Sequence, residues 1–288
     1  MVKKRLIASL IIKDGLIVQS FDFKRYLPIG RPRFSIEHIS RWDIDEIILL
    51  DISASRNKKC IDVKLVEMIS KHCNVPLTVG GGINNIKDAT KLIRAGADKI
   101  CINSIVINNK KIISELADNF GSQAVIVSID AKEHDENYRV FSHLESKVTD
   151  LSLKFWAKKC EALGAGEIFL NSIDRDGSRK GYDLKLIKEI IKNVKIPVIV
   201  CGGVGKFSHF TEGFKSGVSA VAAANIFHHI EHSSILAKAS LLRDNIDIRL
   251  DSIAKYSSCD FDENGRLMMK NSKQIEEIEL KKRKYKFL

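Results

Sequence analysis

Asn74-Val75-Pro76-Leu77-Thr78-Val79-Gly80-Gly81-Gly82 returns later in the chain, in altered letters, as Lys195-Ile196-Pro197-Val198-Ile199-Val200-Cys201-Gly202-Gly203. Each copy is a proline, a short β-branched run and a glycine turn, the pattern of a buried strand that ends in a tight loop. The offset from Pro76 to Pro197 is 121 residues, and the same offset separates Gly96 from Gly217 and Glu46 from Glu167. Around those positions Ala95-Gly96-Ala97-Asp98 resembles Ser216-Gly217-Val218-Ser219. Asp45-Glu46-Ile47-Ile48-Leu49 likewise resembles Gly166-Glu167-Ile168-Phe169-Leu170. A constant offset implies one domain built of two similar halves.

Working outward, eight apolar runs appear at residues 6–12, 47–52, 77–80, 100–103, 124–130, 168–171, 198–201 and 218–224. Amphipathic periods separate them, among them 63–71, 86–94, 111–119, 153–163, 184–191 and 207–216. The runs are apolar at nearly every position, as parallel strands covered on both faces are. An open doubly wound sheet is the alternative, but eight units with half-turn symmetry close more naturally into a single (β/α)₈ TIM barrel, spanning residues 1–253. Residues 254–288 fall outside the pattern. Asn264-Gly265 marks a hairpin turn there, and residues 272–284 form a charged helical stretch or tail.

Composition narrows the class. With 288 residues, 44% apolar and 29% charged, the chain suits one globular domain. No apolar run is long enough for a membrane span, and the basic start leads into a strand rather than a signal peptide. The six cysteines form no C-x-x-C pair, so a reduced, cytoplasmic protein is expected. His228, His229 and His232 have no acid or thiol at ligand spacing, so neither a metal nor another cofactor is expected. The net charge of +11 is spread along the chain. Its one dense run, Lys281-Lys282-Arg283-Lys284, reads as a solvated tail rather than a nucleic-acid site. A basic body also suits an anionic phosphate ester.

Barrel chemistry sits at the C-terminal strand ends. Four of these ends are small and form two symmetric pairs: Gly81 and Gly82 with Asn103 and Ser104, and Gly202 and Gly203 with Ala224 and Asn225. Glycine lets backbone N–H groups approach an anion, so the pairs read as two phosphate sites, the second extended by Asp176 and Gly177. Tight βα turns alone would also account for the glycines. Between the sites stand acids. Asp130 is the candidate acid or base; Asp51 and Asp174 are either functional or structural. At the opposite mouth Arg5, Glu46, Lys99 and Glu167 alternate in sign at strand starts. Position alone favours a salt-bridged plug.

Together these residues resemble the HisF family, the cyclase subunits of imidazole glycerol phosphate synthase, over residues 1 to about 253. The most specific segments are Lys13-Asp14-Gly15, Leu50-Asp51-Ile52-Ser53-Ala54-Ser55, Phe120-Gly121-Ser122-Gln123 and Asp174-Arg175-Asp176-Gly177. The resemblance implies a HisH-like glutaminase docked on the N-terminal mouth. It turns Arg5, Glu46, Lys99 and Glu167 from plug into ammonia gate, and it makes Asp130 one of two catalytic aspartates. The other should stand where this chain has Ile11, in Ser9-Leu10-Ile11-Ile12-Lys13-Asp14-Gly15. Gln19 likewise replaces a lysine, and Asn225 a serine.

With one acid lost and the gate kept, the chain looks like the glycosyl amidation-associated, WbuZ-type branch, which Phe21-Asp22-Phe23-Lys24 and Tyr26 also resemble. That branch implies a barrel that receives ammonia from a glutaminase and delivers it to a sugar amidotransferase forming acetamidino sugars of surface polysaccharide. The alternatives are a working cyclase of histidine biosynthesis and a non-catalytic scaffold that activates the glutaminase.

Overall fold

The computed structural model describes residues 3–135, 137–228, 232–250 and 268. Eight parallel strands close on themselves: β1 (Arg5–Lys13), β4 (Glu46–Asp51), β5 (Leu77–Gly80), β6 (Lys99–Ile102), β7 (Val125–His134), β10 (Glu167–Ser172), β11 (Val198–Cys201) and β12 (Ala220–Ala223). Closure comes from β12 pairing with β1, Arg5 opposite Ala220. The chain is a (β/α)₈ TIM barrel, as the repeat implies. The proposed hairpin and charged stretch within residues 254–288 lie outside the described residues.

The helices follow from the apolar periods and their caps. They are α1 (Pro32–Arg41), α2 (Val63–Ser70), α3 (Ile86–Arg94), the short α4 (Ser104–Asn108), α5 (Lys111–Phe120), α6 (Leu153–Ala162), α7 (Leu184–Ile191), α8 (Ser208–Lys215) and α9 (Ser233–Arg243). Asp62, Asn85 and Asp183 accept backbone N–H bonds at the starts of α2, α3 and α7, satisfying donors that a helix start leaves open. The last helix is pinned by charge. Lys238 is fully buried, and its Nζ lies 2.6 Å from Asp45 and 3.4 Å from Asp43. Among the described residues no helix is long and apolar enough to cross a membrane.

Two antiparallel hairpins extend the C-terminal mouth. One is β2 (Leu16–Phe21) with β3 (Arg25–Gly30); the other is β8 (Asn137–Ser142) with β9 (Lys147–Ser152). The sequence reading treats the first as a loop. Ile17, Val18, Gln19 and Ser20 are all buried on β2, which pairs with β1, whereas β3 is mostly exposed and forms the outer strand. Asp22 and Phe23, both at φ 55°, put left-handed backbone into the three-residue loop Asp22-Phe23-Lys24 that joins the paired Phe21 and Arg25.

The barrel interior is layered. Alternate residues of each strand face inward. Arg5, Glu46, Lys99 and Glu167 make the first layer. Above it Ile7, Ile48, Cys101, Ile126, Phe169 and Ile199 form a dry cluster, separate from the larger core between sheet and helices. Asp130 and its neighbours stand at the mouth above that cluster.

Candidate active site

A cavity of about 370 Å³ opens at the C-terminal ends of the strands. Ile11, Asp51, Gly81, Gly82, Asn103, Ser104, Asp130, Asp176 and Ala224 all line it, so the fold gathers these sequence-separated candidates in one place. Gly177, Gly202, Gly203, Asn225 and Asp174 are not among its lining residues.

Asp130 is buried midway along β7, where the strand passes the barrel mouth, and is held from three sides. Asn103 Nδ2 donates to its Oδ2 at 2.5 Å, Asn171 Nδ2 donates to its Oδ1 at 3.2 Å, and His143 Nε2 lies 2.9 Å from Oδ2. His143 follows β8 and stacks on Phe23 with ring centroids 5.5 Å apart. The sequence reading missed it, along with Arg56, Lys58, Ser128 and Asn171, which also line the cavity. A lone histidine in a polar hairpin carries no local signal. Only the fold of β8 back over β7 brings it to Asp130.

Ile11 faces the cavity from β1, opposite Leu50 of β4. The position therefore reaches the mouth, and its side chain cannot exchange a proton. Asp51 accepts from the N–H groups of Ser53 (2.9 Å) and Ala54 (3.2 Å), and burial pushes its carboxyl up. It organises the turn after β4. Asp174 accepts from Glu133 N and is exposed, away from the cavity. Cys101 and Cys201 also line the cavity. Burial pushes the Cys201 thiol up to about 12 and the Cys101 thiol higher still, so neither is a thiolate nucleophile at neutral pH.

The two glycine pairs differ in access. Each packs a glycine against a neighbouring loop: a Cβ on Gly82 would meet the Lys59 carbonyl oxygen at 1.8 Å, and one on Gly203 the Gly181 oxygen at 2.2 Å. The pair at Gly82 and Ser104 is open to the cavity, with Arg56 and Lys58 nearby to add positive charge. The pair at Gly203 and Asn225 lies under the first hairpin. Asn225 Nδ2 donates to the Ser20 carbonyl at 2.8 Å and its Oδ1 accepts from Ser20 N at 3.2 Å. Asp176 accepts from Ser20 Oγ (2.7 Å) and Phe23 N (3.0 Å), and burial raises its pKa.

At the other end of the axis the four charges form a closed ring. Glu46 bonds Arg5 at 2.8 Å and Lys99 at 3.0 Å; Glu167 bonds Lys99 at 2.7 Å and Arg5 in a shorter contact. Thr78 Oγ1 also donates to Glu46 at 2.9 Å. Burial works to raise the Glu167 pKa, but the hydrogen bond and charge of Arg5, with Lys99, outweigh it and hold it below the ordinary value. Among the described residues no group of three or more His, Cys, Asp or Glu side chains is placed to hold a metal ion.

Comparison with known proteins adds to this geometry. The family described as histidine biosynthesis protein matches residues 5–233. The HisF subunit of imidazole glycerol phosphate synthase from Pyrococcus furiosus is 43% identical over 254 residues, covering 87% of this chain and 100% of that protein. The chain belongs to the HisF family. Similar to it as well is a putative imidazole glycerol phosphate synthase subunit hisF2 from Vibrio vulnificus, 46% identical over 267 residues, which cover 92% of this chain and 98% of the relative. The Thermotoga sp. HisF subunit is 40% identical over 88% of this chain and its own full length. The HisF resemblance read from the sequence thus holds, and the HisF-type barrel is matched along nearly all its length.

Proposed function

We propose that this HisF-type barrel is the ammonia-using subunit of an imidazole glycerol phosphate synthase-type assembly. A HisH-like glutaminase would dock at the N-terminal mouth, and the ring of Arg5, Glu46, Lys99 and Glu167 would gate ammonia onto the barrel axis. The observation that supports this reading is full-length similarity to proteins named as synthase subunits, joined to a mouth that sets Asp130 beside an anion cradle. The phosphorylated substrate is the phosphoribulosyl formimino carboxamide nucleotide. Its products are imidazole glycerol phosphate and aminoimidazole carboxamide ribotide. One phosphate would lie at Gly81, Gly82, Asn103 and Ser104, and the other at Asp176, Gly177, Gly202, Gly203, Ala224 and Asn225.

Ile11 favours a second reading, in which ammonia is passed to a separate sugar amidotransferase that forms an acetamidino group. The test is turnover of the nucleotide by the purified chain with ammonium chloride. Ring formation supports the first reading. No turnover, while a bound glutaminase still hydrolyses glutamine, supports the second.

A further inference from the structure

His143 occupies the mouth in a way that neither phosphate binding nor barrel packing requires. Its Nε2 meets the buried Asp130 carboxylate at 2.9 Å, its ring is sandwiched face-on by Phe23 and edge-on by Phe141 (centroids 5.1 Å), and it lines the same cavity as Ile11. Residues from the first hairpin and from the middle of the chain therefore fix one imidazole. Where Nε2 donates its hydrogen to the Asp130 carboxylate, Nδ1 carries the lone pair, the same division of roles by which a carboxylate orients a histidine base elsewhere. Among the described residues Nδ1 makes no hydrogen bond to the protein.

We propose that His143, oriented by Asp130, is the proton-transfer group of this barrel and supplies the acid–base function that position 11 has lost. The inference rests on the ring-forming reading above. Ammonia attacks the ketone carbon of the ribulosyl moiety. As the C–N bond forms, Nδ1 takes a proton from nitrogen, and the imidazolium delivers it to the former carbonyl oxygen. A second such transfer releases that oxygen as water when its C–O bond breaks, leaving the imine. The nitrogen loses two protons, the oxygen gains two, and the imidazole is regenerated. Asp130 keeps the ring oriented throughout.

The electrostatics agree. Burial and the Arg56 charge lower the His143 pKa, but the charge and hydrogen bond of Asp130 outweigh them and raise it above the ordinary 6.5. The groups acting on the ring are Asp130 from β7 and Arg56 from the loop after β4. The hairpin and β8 present aromatic faces.

The test uses the full chain, labelled with ¹⁵N-histidine, and two readouts. In the first, the His143 titration midpoint is followed in the wild type and in Asp130→Asn, with His143→Gln giving the assignment. The midpoint should fall in Asp130→Asn; an unchanged midpoint means that the pair does not exist in solution and overturns the inference. In the second, turnover of the nucleotide with ammonium chloride is measured across pH. His143→Gln should lower kcat by about 10²–10⁴-fold with little change in KM, and the limb of the profile that follows His143 should vanish. A folded His143→Gln, or His143→Asn if the first unfolds, with wild-type kcat overturns the inference and leaves the ring-forming reading intact. A wild type that does not turn over overturns both.

Discussion

Ile11 and His143 share one cavity, which makes their exchange of roles testable in a single pair of substitutions. Ile11→Asp alone would place a second carboxylate in the same cavity as Asp130, where like charges raise each other's pKa. In the wild-type background it should change turnover by no more than a few fold. In the His143→Gln background it should restore part of the lost kcat, because an ionisable group is again present. Ammonia-dependent kcat of the four chains checks this, and failure of Ile11→Asp to rescue His143→Gln would argue against shared duty. The raised His143 pKa also has a stability consequence. Protonated His143 stabilises the fold fully below the unfolded value near 6.5, and that contribution is lost as pH rises through the higher folded value. The stability gap between the wild type and His143→Gln should therefore narrow from pH 5 to pH 9 in urea titrations.

At the scale of elements, the β2–β3 hairpin decides how alike the two anion sites are. Sequence symmetry makes them equivalent, yet Asn225 and Ser20 exchange two hydrogen bonds over the second one. An anion there has to displace the hairpin. Each such bond is worth about 0.5–1.5 kcal/mol net. Inorganic phosphate should accordingly bind the Gly82–Ser104 side more tightly than the Gly203–Asn225 side. Asn225→Ala should strengthen the weaker site by roughly tenfold, since 1.4 kcal/mol is a factor of ten. Calorimetry with phosphate, or anion peaks in crystals of the two chains, measures the difference. Equal affinity in the wild type would mean that the hairpin opens without cost.

For the whole molecule, the ring at the N-terminal mouth and the cavity at the other end lie on one axis, joined by the layer of Ile7, Ile48 and Phe169. If ammonia travels this way, opening the ring should uncouple the two ends. Lys99→Ala removes a cation that bonds both Glu46 and Glu167. Glutamate released should then exceed product formed, where the wild-type complex keeps them near one to one. A complex of ordinary size would bury about 1,200–2,000 Å² at this face, so binding itself should survive one substitution. An unchanged ratio with the complex intact would reduce the ring to a plug. Acid tests the same ring. The lowered Glu167 pKa means its contribution is present above the unfolded value near 4.3 and is lost as pH falls through the lower folded value. Thermal melting of the wild type and Lys99→Ala should converge below about pH 4.

The 121-residue repeat, the β-branched runs and the glycine turns determined the barrel, because strand periodicity and turn chemistry are local properties that survive in linear order. The same locality made Asp130 and the four charges of the ring legible, because each sits towards one end of the barrel strands and alternation along a strand dictates which residues face the axis; the absent acid at Ile11 was legible only through the resemblance to the HisF family. His143 belongs to the other class. Its neighbours in sequence say only that it lies in a hairpin, and its contacts, Asp130 thirteen residues away and Phe23 in the first hairpin, depend on how β8 folds back on β7 and how β2 and β3 cover the mouth. The Asn225–Ser20 clamp spans 205 residues and was equally invisible. Side-chain pairs made by long-range closure carry no periodic signal, so only the tertiary structure decides which groups meet at the mouth and which anion site stands open.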